Sequence, residues 1–311
     1  MEDTLFKPWV PDWLIKIILF GGIMPSMVLF FLPIANIQVT AGYYGCQISD
    51  VQFLVVLFYS GFVSFYILER RFFQFFPTKS YYIIFSLLRI INCLLMVYIK
   101  DIEWVYGIRF IQGMLFAFAV NLCISNIFVR LKSLKAKEGS YAIFFGLLLC
   151  SSPFNSIVTA DIIDSNNYNE LYRYSACIFS FGLALFMIMM QSADNPKVNR
   201  LLSLDFISFI LYSILIICVG YIMVYGQEQY WFYSTNIIIA SLFAILLISV
   251  FIIRQLYLKR QYIHLNIFLN KNLLLGCIVL FIMYIERFSL AISNQYFKQS
   301  LRFDAIHLAE I

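Results

Sequence analysis

Nine stretches of this sequence, near residues 13–34, 50–69, 80–99, 103–129, 141–163, 170–190, 205–225, 232–253 and 272–296, are apolar enough and long enough to cross a hydrocarbon core of about 30 Å as α-helices. Polar or basic residues bound each of them. Pro25, Pro33 and Pro153 fall inside runs. Lipid-embedded helices tolerate proline where neighbours satisfy the freed backbone groups, so these read as kinks within spans. Only 13% of the chain is charged and 62% is apolar or aromatic, against roughly 25% charged in a soluble domain. Too few charges remain to cover a water-facing surface of this size, and the solvent for most of the chain is lipid.

The net charge of +5 does not point to a nucleic-acid partner, because the basic residues lie in short loops between the apolar runs. Arg70, Arg71 and Lys79 follow the second run; Arg130, Lys132, Lys135 and Lys137 the fourth; Lys197 and Arg200 the sixth; Arg254, Lys259, Arg260 and Lys271 the eighth. The alternate loops hold only Lys100. The positive-inside rule therefore places the N-terminus in the cytoplasm. Glu2, Asp3 and Asp12 precede the first run, with no basic segment and no small-residue cleavage site, so that run is expected to stay in the mature protein. The 254–271 segment, with Ile263, Leu265, Ile267 and Phe268 between polar residues, reads as an amphipathic connector lying along the membrane surface.

Ionisable residues inside spans each cost on the order of 2.5–3.5 kcal/mol on insertion scales and mark partners or watery cavities. They are Arg89, Arg109, Asp161, Arg173, Glu286 and Arg287. Ser86, Arg89 and Asn92 are three apart and form one polar stripe, either a seam between helices or part of a substrate path. Arg109 and Gln112 share a face continued by Phe116 and Val120, while Gly113 lets another backbone approach. An alternative has Arg109 snorkelling to the outer interface. In the ninth run Glu286 shares a side with Ser289 and Ser293, and Arg287 with Asn294. Each charge either lines a proton path or answers an opposite charge on another helix. Asp161 and Arg173 flank the short 164–169 loop and read as an interfacial salt bridge, and Asp205 as a helix cap. The seven cysteines show no paired spacing, and His264 and His307 lie outside the runs, so no metal or other cofactor is expected. A membrane-embedded enzyme needs nucleophiles or metal ligands gathered at one depth; clusters of His, Asp and Glu are absent, and an enzyme is not expected.

Arg109-Phe110-Ile111-Gln112-Gly113 resembles the R-x-x-Q-G motif in the fourth span of the major facilitator superfamily, which implies a part for Arg109, Gln112 and Gly113 in proton-coupled transport. Gly139, Ser152, Pro153 and Ser156 are similar to part of that superfamily's antiporter motif, G-x8-G-x3-G-P-x2-G, with Leu148 in place of one glycine. Leu204 through Ser208, Gly226-Gln227 with Trp231-Phe232, and Ile263 through Phe268 with Asn270-Lys271-Asn272 resemble the fourteen-span drug:proton antiporters of the superfamily. Departures are visible: Met24 and Leu29 stand at the two polar positions of that family's first span, and the loop after span two keeps its charges but loses its glycines.

The resemblance implies an all-α integral membrane protein, a major-facilitator-type bundle with about nine transmembrane helices in this chain. Residues 1–190 would be the N-terminal six-helix half, 191–253 two inserted helices, 254–271 the cytoplasmic connector and 272–311 the first helix of an incomplete C-terminal half. It further implies export of lipophilic or amphipathic small molecules against protons by alternating access, in a bacterial inner membrane, with Arg89, Glu286 and Arg287 as further coupling candidates. A periplasmic adaptor and an outer-membrane channel would be its partners. Five more spans would follow Ile311; a chain ending with nine would be a non-transporting remnant, and that reading stays open.

Overall fold

A computed structural model describes residues 6–72, 78–130, 168–191, 205–258 and 261–283, together with Gly139, Ala142, Phe145, Gly146 and Ile285. The described residues form helices joined by short turns, with a single isolated antiparallel bridge between Phe6 and Met190. They comprise α1 (Asp12–Ala35), α2 (Ile37–Tyr44), α3 (Ile48–Phe72), α4 (Thr78–Tyr98), α5 (Ile102–Arg130), α6 (Glu170–Met189), α7 (Phe206–Tyr225), α8 (Thr235–Tyr257) and α9 (Lys271–Met283). Seven of these, all but α2 and α9, are long and apolar enough to cross a membrane. The chain is a multi-pass helical membrane protein. The fifth expected span lies almost wholly outside the described residues, and α9 is the first half of the ninth.

The helices begin and end where local chemistry dictates. α1 runs unbroken through Pro25 and Pro33, so both prolines lie within the span and do not end it. α2, within a segment the sequence reading treated as loop, stops at Gly45, whose φ of 64° is the left-handed geometry that glycine adopts without strain. α7 opens on Asp205, whose side chain accepts the Ser208 backbone amide at 3.1 Å and so works as the expected cap.

Packing is most extensive between α3 and α5, followed by α4 with α6, and α7 with both α8 and α3. α1 sits against α3, α5 and α6, so that five helices surround a common interior. Two glycines bring α3 and α5 together. A Cβ on Gly61 would lie 2.1 Å from the Phe110 carbonyl oxygen, and one on Gly113 would lie 2.1 Å from that of Phe58. Small residues at such a crossing let backbones touch, which is the main attraction available between helices in lipid. Gly220 serves α7 in the same way, its absent Cβ making room for Val56 of α3. The remaining faces of α7 and α8 expose isoleucine, leucine and valine, as lipid-facing helices do.

Polar contacts fix both ends of α7. At one end Tyr225 and Tyr106 donate to Asp50 at 2.6 and 3.3 Å, joining α7 and α5 to α3. At the other, Arg254 of α8 pairs with Asp205 at 2.8 Å, and Gln255 donates to Ser208 at 2.8 Å. The 254–271 segment does not simply lie on the membrane surface: its first residues belong to α8, and Tyr262 is buried, its hydroxyl donating to the Ser64 carbonyl while its amide donates to Gln255 at 2.7 Å. Burial alone would raise the Asp205 carboxyl, but hydrogen bonds from Ser208 and Arg254 outweigh it and hold the group below the usual carboxylate range. A depressed carboxyl contributes stability above its unfolded value and loses it as pH falls through the folded one. Asp205→Asn should therefore lower the melting temperature at neutral pH, by about 1 kcal/mol of cap and pair, and narrow to no difference from wild type in acid. Melting curves between neutral pH and the lower carboxylate range check this.

Candidate functional site

Halfway along α1, α3, α4, α5 and α6 the bundle leaves a small, partly open cavity of about 20 Å³, lined among others by Ser26, Arg89, Asn92, Gln112, Phe116 and Phe179. Its walls are laid by helix periodicity. Ser86, Arg89 and Asn92 are all buried, so the stripe on α4 faces the bundle and not lipid, as its spacing required. Arg109 and Gln112 are buried on α5, with Phe116 and Val120 extending the same face. Snorkelling is excluded: Arg109 is 0% exposed.

Both arginines reach across to α1, and its prolines explain where they land. In a helix the Leu29 carbonyl would accept from residue 33, but Pro33 has no N–H to give. Arg109 Nη1 donates to that carbonyl at 3.0 Å, and Nη2 to the Phe30 carbonyl at 3.2 Å. Arg89 Nη2 donates to the Gly22 carbonyl at 2.8 Å and also to the Ser26 hydroxyl, beside the Gly21 carbonyl that Pro25 cannot bond. Of these acceptors the Leu29 carbonyl is one that the helix itself leaves unbonded, and together the backbone and hydroxyl oxygens of α1 make the buried guanidinium groups tolerable.

Aromatic faces complete the environment of each charge. The Arg89 guanidinium carbon stands 4.0 Å from the centre of the Phe179 ring, and that of Arg109 stands 5.0 Å from the Phe58 ring. Arg109 Nη1 also donates to Gln112 Oε1 at 2.6 Å, the contact their three-residue spacing predicted. Asn92 Nδ2 donates to the Ile108 carbonyl at 3.1 Å and ties α4 to α5. Tyr44, Tyr168 and Tyr172 gather on the other side of Arg109, near enough to feel its charge.

No protein-family model matches the chain, and no curated protein matches it. The site is therefore judged on its own geometry.

Of the candidate residues, Arg89 and Gln112 line the cavity, Arg109 is bonded to Gln112 beside it, and Gly113 lies at the α3–α5 crossing. Gly139 is helical. Ser152, Pro153, Ser156, Glu286 and Arg287 lie outside the described residues, as does Asp161. Arg173 pairs with Glu170 at 2.6 Å on the exposed face of α6, while its expected partner Asp161 lies outside the described residues.

Sequence reading missed Ser26, Phe58 and Phe179, which reach the site from three other helices. The prolines were the available signal for α1, since each implies unbonded carbonyls one turn earlier. It also missed Glu69, the last residue of the second run. Glu69 is 1% exposed and accepts from the Tyr81 hydroxyl at 3.1 Å and from Asn121 Nδ2, so a carboxylate joins α3, α4 and α5 near the end opposite Asp50.

Proposed function

We propose that this chain is a secondary transporter of the major facilitator type, exporting lipophilic or amphipathic small molecules in exchange for protons by alternating access. The observation that carries the reading is the mid-depth polar interior in which Arg109, Gln112 and Arg89 converge, since secondary transporters place their sites near the bilayer midplane, next to broken or kinked helices. The pairing of helices supports it too. Half-bundles of this type are built from inverted three-helix repeats, and exchanging spans one to three with four to six maps the α1–α5 and α4–α6 contacts each onto itself.

On this reading Arg109 holds α1 in register while its charge responds to protonation elsewhere. The first span offers no carboxylate at that depth, with Met24 and Leu29 at the polar positions, so Glu69 and Glu286 are the proton carriers proposed. The N-terminus faces the cytoplasm of a bacterial inner membrane, and a periplasmic adaptor with an outer-membrane channel completes the export route.

The test is proton-driven dye flux from proteoliposomes holding the purified full chain. Wild type should export a lipophilic cationic dye when a proton gradient is imposed, and Arg109→Ala and Glu286→Gln should each lose roughly tenfold or more of that rate. Monodisperse elution of both variants shows that they fold. Absence of flux in wild type, or unchanged flux in both variants, overturns the proposal.

A further inference from the structure

Arg89 is 8% exposed, and among the described residues no carboxylate stands within ion-pairing distance of it. Only its Nη2 is used, by the Gly22 carbonyl and the Ser26 hydroxyl, while the Phe179 ring covers one face of the guanidinium. A guanidinium carries more N–H donors than these two acceptors consume. The cavity wall supplies another: Gln112 is 7% exposed, its Oε1 is held by Arg109, and its Nε2 has no partner. Asn92 Oδ1, also without a partner, is the one acceptor that opposes this arrangement.

We infer that the cavity between Arg89 and Gln112 is a binding site for one small monovalent anion, a halide or an ion of similar size such as formate. The volume of about 20 Å³ is the space left to the centre of a water-sized sphere, so one halide or one three-atom anion fits and a sugar acid does not. The charge follows from the lining: Arg89 carries a positive charge that no carboxylate among the described residues answers, and Gln112, on the same cavity, holds an amide donor without a partner. Phe179 and Phe116 add apolar surface to the cavity, which disfavours a strongly hydrated ion. The ion acts as counter-charge for Arg89, so the inference goes beyond transport and stands whether or not the chain moves a substrate.

The experiment is thermal melting of the purified full chain in detergent, titrating sodium chloride or sodium formate against sodium gluconate at constant ionic strength. Gluconate is too large for the cavity. Wild type should show a saturable rise of a few degrees in chloride, in formate or in both. Arg89→Gln should show none. Asn92→Asp provides a second arm that keeps the guanidinium in place. It places a carboxylate on the same wall, and should melt no lower than wild type in gluconate and ignore chloride. Equal melting of wild type in all three salts, which is the outcome if water alone fills the cavity, overturns the inference. So does a chloride response that survives in Arg89→Gln or Asn92→Asp.

Discussion

Gly113→Val is expected to abolish the folded bundle. The added Cβ alone would sit 2.1 Å from the Phe58 carbonyl oxygen and 2.9 Å from the Phe62 amide nitrogen, both backbone atoms of α3 that no side-chain rotation can move aside. Relief requires α3 and α5 to separate along the most extensive helix contact in the protein. Over-packing a core costs about 1–3 kcal/mol when side chains can yield, and here the obstacle is backbone, so a loss above that range is expected. Gly107, in the same helix, has open space where its Cβ would go, and Gly107→Ala should leave stability unchanged or improve it slightly. Size-exclusion profiles and melting temperatures of the two variants make the comparison. If Gly113→Val melts like Gly107→Ala, the α3–α5 crossing described above is wrong.

The second large effect is a coupling between Arg109 and Pro33. Arg109→Leu strips the Leu29 carbonyl and Gln112 Oε1 of their donor, at about 1–3 kcal/mol for each buried group left unpaired. It also removes a buried positive charge, which works in the opposite direction. The single variant therefore mixes two terms, and a double-mutant cycle separates them. Pro33→Ala restores a backbone N–H to the Leu29 carbonyl. In that background the damage from Arg109→Leu should shrink by about 1–3 kcal/mol. Phe30 is a useful contrast, because its carbonyl keeps an ordinary helical donor from Ile34 in every variant. Additive losses across the cycle would show that Arg109 does not serve the proline kink.

Much of the architecture was legible because lipid leaves few choices. Long apolar runs with polar borders fix where helices cross, and seven appear close to the expected bounds. Within a helix, spacing also fixes which residues share a face, so the Ser86–Arg89–Asn92 stripe and the Arg109–Gln112 contact were readable. What periodicity cannot supply is the identity of the facing helix. Nothing local in α6 ties Phe179 to Arg89, and nothing in α8 ties Arg254 to Asp205. One miss was avoidable: Glu69 is the last residue of the 50–69 run and belonged with the ionisable residues inside spans. The Glu170–Arg173 pair, three residues apart, was readable from spacing alone.

α1 carries two proline joints, and each is gripped by an arginine from a different neighbour, the lower by α4 and the upper by α5. The carbonyls of Leu29 and Phe30, held by Arg109, lie between the two prolines, and the Gly22 carbonyl, held by Arg89, lies before the first. A displacement of α5 is therefore felt by the segment between the prolines and one of α4 by the turn that opens at Pro25, so a single helix receives the movements of two neighbours at separate heights.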